Sequence, residues 1–433
     1  MQKDNKKYIW SWAMYDFANS AFTTLVVTFI YSAFFTTTIA ANETEGTTWW
    51  SLSISATAIF VAISSPFIGA LADGSFLRKR IMIFSTVLCA FFTSLLFFID
   101  SSPLYAIIIF TLANIAFEVG SVFYNSYLPD ISTKDKVGRV SGFGWGLGYL
   151  GGLLALLLSL FFLVEPETAP FGLNKEEGQH ILATNLLVAI WFLIFSLPLF
   201  LVIKDKESKK WVLTQMVVKA YQDLYQTFKD LKKYKAVQNF LIARLVYNDA
   251  LVTVFALGGI YASVTIGFSF EEILLLGIVL NIMAGLGAFV FGLVDDKWGS
   301  KKVIKVSILF MMLASFFAVL APDLPGLCQL AFGGDAVPDF YNTKNIFWLS
   351  GIMIGFFAGP IQSSSRALMT RITPTEKKNE FFGFYAFSGK ATAFLGPLIF
   401  AWASDYFNTQ QMGLLMIFLL FCLGYVLIKR LVR

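Results

Sequence analysis

The stretch "GLVDDKWGSKK" (residues 292–302) repeats in looser form one met much earlier, "GALADGSFLRKR" (69–80). Each opens on a glycine at the end of a long apolar run, carries an aspartate near its middle and closes on Arg or Lys. Their starts lie about half of the 433 residues apart, so the chain reads as two halves built alike. Between the halves runs 204–237, rich in lysine and free of Gly and Pro. Its apolar positions Leu213, Val217, Tyr221, Leu224, Phe228 and Leu231 recur at three and four residues, which predicts an amphipathic helix lying on a membrane face. The expected organisation is an N-terminal six-helix bundle (1–203), this linker (204–237) and a C-terminal six-helix bundle (238–433).

Composition agrees with membrane insertion: 57% of the residues are apolar, 14% are charged and the mean hydropathy is +0.69. Uncharged runs long enough to cross hydrocarbon fall near 9–39, 50–72, 81–99, 103–128, 140–164, 183–203, 239–266, 272–294, 303–321, 345–369, 381–404 and 411–428. The expectation is an all-α membrane protein with twelve transmembrane helices in two pseudo-symmetric bundles. The first run is too long for a cleavable signal and lacks its small-residue site. With both termini cytoplasmic, nearly all 33 Lys and Arg face the cytoplasm. Lys175 and Lys344 fall outside, and Arg244 and Lys390 fall within spans. The net charge of +5 therefore reports topology, with no nucleic-acid partner. Short tails favour a bacterial inner membrane, and the chain is expected to act as a monomer among lipids.

Several chemistries are excluded. Cys89, Cys328 and Cys422 have neither disulfide nor metal spacing and are assigned to packing. His180, the one histidine, is placed in a solvated outer loop, so no His-based catalytic set exists. No Gly-Lys-Ser/Thr phosphate loop is present, so ATP is not the energy source. No cofactor and no metal are expected, and Asn42-Glu43-Thr44 is a short sequon that arises often by chance.

Six plus six helices with basic turns at half-chain spacing resemble the major facilitator superfamily. Gly292, Val294, Asp296, Lys297, Gly299, Lys301 and Lys302 follow that superfamily's turn motif closely. The first turn keeps Gly69, Leu71, Asp73 and Arg78 but has Gly74 and Phe76 where a base and a glycine are usual. The resemblance implies gating roles for Asp73, Arg78, Asp296, Lys297 and Lys301, with Asp73 holding the start of the eleventh helix and Asp296 that of the fifth. The alternative is loop charges that only set topology. A narrower resemblance rests on "YDFANSAF" (15–22), "YNSYLPDIS" continuing to "GRVSGFGWGLGYLGG" (124–152), "LVYNDALVTVF" (245–255), "SSSRAL" (363–368) and "FFGFYAFSGKATAFLGP" (381–397). These look like the branch of autophagy-related vacuolar amino-acid effluxers and their bacterial relatives. It implies a secondary transporter of amino acids working by alternating access, with helices one, four, seven and ten lining a central cavity.

Five ionisable residues stand well inside spans, where charge is expensive and by default functional. Asp16 lies about 10 Å from the inner end of its span, Arg244 about 8 Å, and Glu118, Asp249 and Lys390 about 15 Å. Asn19 shares a helix face with Asp16, and Asn248 shares one with Arg244. Gln362 and Ser363 to Ser365 offer further polar contacts. The candidate binding or coupling set is therefore Asp16, Asn19, Glu118, Arg244, Asn248, Asp249, Gln362 and Lys390. Three acids against two bases leave one acid to carry a proton, Asp16 or Asp249, and purely structural ion pairs are the rival account. Gly142, Gly144, Gly146, Gly148, Gly151 and Gly152 suit a close, moving or static, helix crossing. Gly396-Pro397 marks a kink. Three other functions stay open: an exporter of larger amphipathic molecules, suggested by 47 Phe; a membrane-embedded acid–base enzyme pairing Asp16 with Glu118; and a receptor-like pseudotransporter.

Overall fold

The computed structural model describes all residues except 1, 76, 100–101, 205–212, 230, 325, 327–341 and 431–433. Cys328 and Phe76 lie outside the described residues, as do the side chains of Leu213, Phe228 and Leu231 on the linker stripe.

Among the described residues, eleven continuous helices are long and apolar enough to span a membrane: α1 (Lys6–Ile39), α2 (Glu43–Asp73), α3 (Arg78–Phe98), α4 (Pro103–Ile131), α5 (Val137–Val164), α6 (Gln179–Val202), α7 (Lys235–Ile266), α8 (Glu271–Trp298), α9 (Ser300–Leu320), α10 (Thr343–Ile372) and α12 (Gln410–Arg430). The twelfth is α11, in two pieces, α11a (Lys378–Lys390) and α11b (Leu395–Tyr406). The linker helix runs Leu213–Lys229. The protein is all-α and membrane-spanning, as the apolar runs require.

The break in α11 covers Ala391–Phe394, upstream of the kink the sequence places at Gly396-Pro397. Pro397 explains the shift. It has no N–H to give the carbonyl four residues earlier, that of Ala393, and its ring crowds the same carbonyl, so the helix opens one turn before the proline. Side chains close the start of two other spans. Asn5 accepts from Lys7 N–H (2.9 Å) at α1, and Ser269 and Glu272 form a reciprocal capping box at α8. Just ahead of α1, Asp4 accepts from Thr133 N–H (3.0 Å) and hydroxyl (2.9 Å) and lies 3.4 Å from Lys136. Burial alone would raise the Asp4 pKa, but these hydrogen bonds and the ammonium carry it below the ordinary value.

The chain divides into two compact units. The first holds Met1–Leu231 with Thr373–Phe387, a segment the sequence assigns to the second bundle; the other holds Lys232–Ile372 with Ser388–Arg433. In the first, α1 is tied to α3 and α4 by aromatic side chains. Trp12 stacks on Tyr124 (4.7 Å between centroids) and donates to its carbonyl (3.0 Å), while the Tyr15 hydroxyl bonds Thr86 on α3 (2.7 Å). Glycines let α5 lie on α1, since a methyl at Gly151 would run into the Phe17 carbonyl. In the second unit, Tyr247 on α7 reaches Ser365 on α10 (2.7 Å), echoing Tyr15 in the "YD" and "YND" stretches. A methyl at Gly359 would strike the Ala284 carbonyl, so α8 and α10 also touch backbone to backbone. His180 is not in a solvated loop; it occupies the first turn of α6 and is buried.

The α8–α9 turn pivots on Gly299, whose φ of +80° only glycine adopts without strain. Gly299→Ala should therefore lower stability by about 1–3 kcal/mol in thermal unfolding in detergent. Gly258, helical and with open space where a Cβ would sit, should tolerate Ala or gain from it. Equal melting temperatures for the two variants would refute this account of the turn.

Candidate gating and substrate sites

The first basic turn meets the start of α11a inside the first unit. Asp73 accepts from Asn379 N–H (3.2 Å), Asn379 Nδ2 (2.7 Å) and Glu380 N–H (2.8 Å), so one carboxylate satisfies main-chain donors that the helix start leaves free. Its charge also meets the positive end of the helix dipole. Gly69 and Gly383 make the approach possible: a methyl at Gly69 would hit the Asn379 carbonyl, and one at Gly383 the Ser65 carbonyl. Arg78 lies over the Tyr127 ring (3.5 Å to its centroid), donates to the Ser126 carbonyl (3.0 Å) and pairs with Asp130 at the end of α4 (2.7 Å). Lys378 joins the same Asp130 carboxylate, and Ser126 bonds Asn379 Oδ1 (2.5 Å). From the linker helix, Thr227 meets Lys377 (2.5 Å), which also lies 3.5 Å from the buried Glu380.

The second turn solves the same problem with reversed polarity. Asp295, fully buried at the end of α8, accepts from the Ser300 hydroxyl (2.9 Å) and pairs with Arg371 at the end of α10 (2.5 Å). Asp296 lies 3.7 Å from the other Arg371 nitrogen. Lys297 is exposed and Lys301 half-buried, while Lys302 sits over the Trp298 ring (4.9 Å). Sequence reasoning passed over Asp130, Asn379, Asp295 and Arg371. The one available signal was the doubled acid "DD", with an acid one position earlier than in the first turn.

The buried charges gather in each unit separately. Asp16 and Asn19 are buried on α1, and a Cβ on Gly148 of α5 would lie 3.5 Å from Asp16 Cβ. Glu118 is half-buried on α4. In the second unit, Arg244 of α7 donates to Ser388 Oγ (2.7 Å) in the last turn of α11a. Asn248 donates to the Gly389 carbonyl (3.2 Å), and Thr392 in the break donates to the Leu245 carbonyl (3.2 Å). Arg244 and Asn248 are thus brought to the end of α11a, where Lys390 is the last residue. Asp249 lies instead against the start of α11b, where a Cβ on Gly396 would stand 3.3 Å from the Asp249 carbonyl. Gln362 is half-buried on α10, four residues from Arg366, a fully buried cation of the tenth span that is not among the five charges singled out from sequence.

Two compact units of membrane-spanning helices with paired basic turns define the class, a transporter of the major facilitator superfamily. The fold matches the proton:xylose symporter XylE with a TM-score of 0.71 at 13% identity, over 99% of this chain and 95% of that one. It also matches a bacterial homologue of the iron transporter ferroportin in its outward-facing state (TM-score 0.68, 13% identity, 98% of each chain). The chain belongs to the Atg22-like vacuole effluxer family, whose model matches residues 42–432. Among its relatives are the MFS-type transporter YxiO of Bacillus subtilis, 25% identical over 96% of this chain and 93% of that protein, and autophagy-related protein 22 of Saccharomyces cerevisiae, 23% identical over 80% and 70%. It is an integral membrane transporter of small molecules and not an enzyme.

Asp130 neutralises two cations, whereas Asp73 caps one helix end. Asp130→Ala should cost about 3 kcal/mol or more, against about 1 kcal/mol for Asp73→Ala. Thermal unfolding of the two variants in one detergent decides it, and an equal or reversed order would undo the assignment.

Proposed function

We propose that this protein is a proton-driven secondary transporter of small zwitterions, with amino acids as the substrate class, working by alternating access. The observation that carries the reading is the cluster at the end of α11a: Arg244, held 2.7 Å from Ser388, and Asn248, held 3.2 Å from the Gly389 carbonyl, beside Lys390. Cations and amide donors at mid-span suit a carboxylate, which guanidinium and ammonium groups bind with charge-assisted hydrogen bonds. Small neighbours, Gly389 and Ala391, leave room around Lys390, so the ammonium has little packing value there. Gln362 adds polar capacity in the same unit. In the first unit, Asp16, Asn19 and Glu118 supply acids and an amide suited to an ammonium or a proton.

Asp73 and Arg78 act in this reading as the gate at the start of α11a, and Asp296, Lys297 and Lys301 form the corresponding turn. The basic turns face the cytoplasm with both termini, in a bacterial inner membrane, and the unit of function is the monomer. Proton coupling draws support from the fold neighbour XylE, a proton:xylose symporter. Large exposed aromatics on span surfaces, such as Phe84, Phe161 and Phe162, account for much of the phenylalanine content as lipid contact. That removes the main argument for an amphipathic cargo.

The test is counterflow in proteoliposomes with a panel of labelled amino acids. Wild type should exchange at least one of them, and Lys390→Met should lose at least nine-tenths of that exchange while its melting temperature stays within a few degrees. Full exchange by Lys390→Met would return this residue to a packing role.

A further inference from the structure

We propose that Asp249 is the proton-binding group of the transport cycle, and that its charge state controls the hinge in α11. This rests on the proton-coupled reading above and names the group that carries it.

The break Ala391–Phe394 creates two new helix ends at mid-span, the carbonyl end of α11a and the N–H end of α11b. Hydrocarbon satisfies neither, so neighbouring groups must. α7 meets both. Arg244 places a cation at the carbonyl end, 2.7 Å from Ser388, and Asp249 places an anion at the N–H end, each sign matching the local helix dipole. The donors of α11b's first turn can be followed one by one. Leu395 N–H goes to the Thr392 carbonyl (2.8 Å), Leu398 N–H to the Phe394 carbonyl (3.1 Å), and Pro397 has none. Gly396 N–H takes no carbonyl of the preceding turn, and Gly396 packs on α7 at Asp249, whose carbonyl lies 3.3 Å from where its Cβ would stand. The contact is close because residue 396 is glycine; a methyl there would collide with Thr253 Oγ1, itself bonded to the Asp249 carbonyl (2.8 Å).

That leaves Asp249 in an unusual state. It is 4% exposed, and its Oδ1 is buried with no hydrogen-bond partner. Among the described residues it has no ion pair. The charged groups on the elements packed around it make no ion pair with it: Arg244 on its own helix is engaged at Ser388 and Arg371 of α10 at Asp295, and neither Arg366 of α10 nor Lys390 of α11a pairs with it. Asp405 of α11b and Lys429 and Arg430 of α12 lie at the far ends of their helices. A lone buried carboxylate with an empty oxygen is the group a proton relieves most. Protonation on Oδ1 removes the charge that complements the start of α11b, so α11b is freed to move on the hinge. Loss of the proton restores the charge. Binding and release of one proton thus alternate a held and a released α11b.

The experiment pairs infrared difference spectroscopy with transport. In wild-type protein in lipid, titration should reveal a protonated-carboxyl band that Asp249→Asn abolishes and Asp249→Glu shifts. This readout needs no substrate, so it stands even if no amino acid in the panel is carried, an outcome that would refute the substrate reading alone. In proteoliposomes, Asp249→Asn should reduce the ratio of pH-driven accumulation to exchange at least tenfold. An unchanged carboxyl titration in both variants, or undiminished pH-driven accumulation by Asp249→Asn, overturns the proposal. If the Asn variant fails to fold, an unaltered band in Asp249→Glu does so by itself.

Discussion

A helix that stops inside a membrane leaves peptide groups with no water to bind, and α11 stops there twice. Much of the polar chemistry of this protein is arranged around that constraint. Arg244 stands at the carbonyl end of α11a and Asp249 at the N–H end of α11b, while at the basic turn Asp73 receives the first N–H groups of α11a. Each is a charge of the sign the local dipole favours. The glycines follow from the same demand, because backbone caps work only at short range: Gly69, Gly383, Gly389 and Gly396 all stand where a larger residue would crowd the contact. Motif glycines that look like generic helix-packing residues are here the steric condition for electrostatic capping.

The spans, the repeat and the linker were legible in the sequence because apolar run length and basic clusters are local signals. The buried charges of α1, α4 and α7 were legible for the same reason. What each charge faces was not. Arg244 and Asp249 stand five residues apart on one helix, and nothing in that spacing says that one serves the end of α11a and the other the start of α11b. Structural ion pairing was the rival account from sequence; Arg244 donates to Ser388, and among the described residues Asp249 makes no ion pair. Asp130 lies 52 positions from Arg78 and far from Lys378, so its joint pairing is invisible without coordinates. The break in α11 was read at the proline itself, although the physical consequence of a proline falls on the preceding turn.

Segment Thr373–Phe387 shows how sequence halves and compact units diverge. It follows α10, yet its partners are Asp73, Ser126, Asp130 and Thr227. The linker helix reads in sequence as a passive connector. Thr227 gives it a polar hold on Lys377, next to the Glu380 whose N–H caps onto Asp73.

The reversed polarity of the two basic turns limits how the halves can exchange parts. Aligned on their glycines and on Asp73 and Asp296, the buried Ala72 of the first turn corresponds to the buried Asp295 of the second. Grafting the first turn into the second position would remove the acid that Arg371 holds, leaving that guanidinium facing alanine. The opposite graft would sink a carboxylate into the Ala72 pocket and put a lysine where Arg78 forks between a carbonyl and a carboxylate. Each turn is fitted to partners that its own compact unit supplies. A chimera of this protein would have to carry whole units, Thr373–Phe387 with the first, because the motif alone is not a portable module.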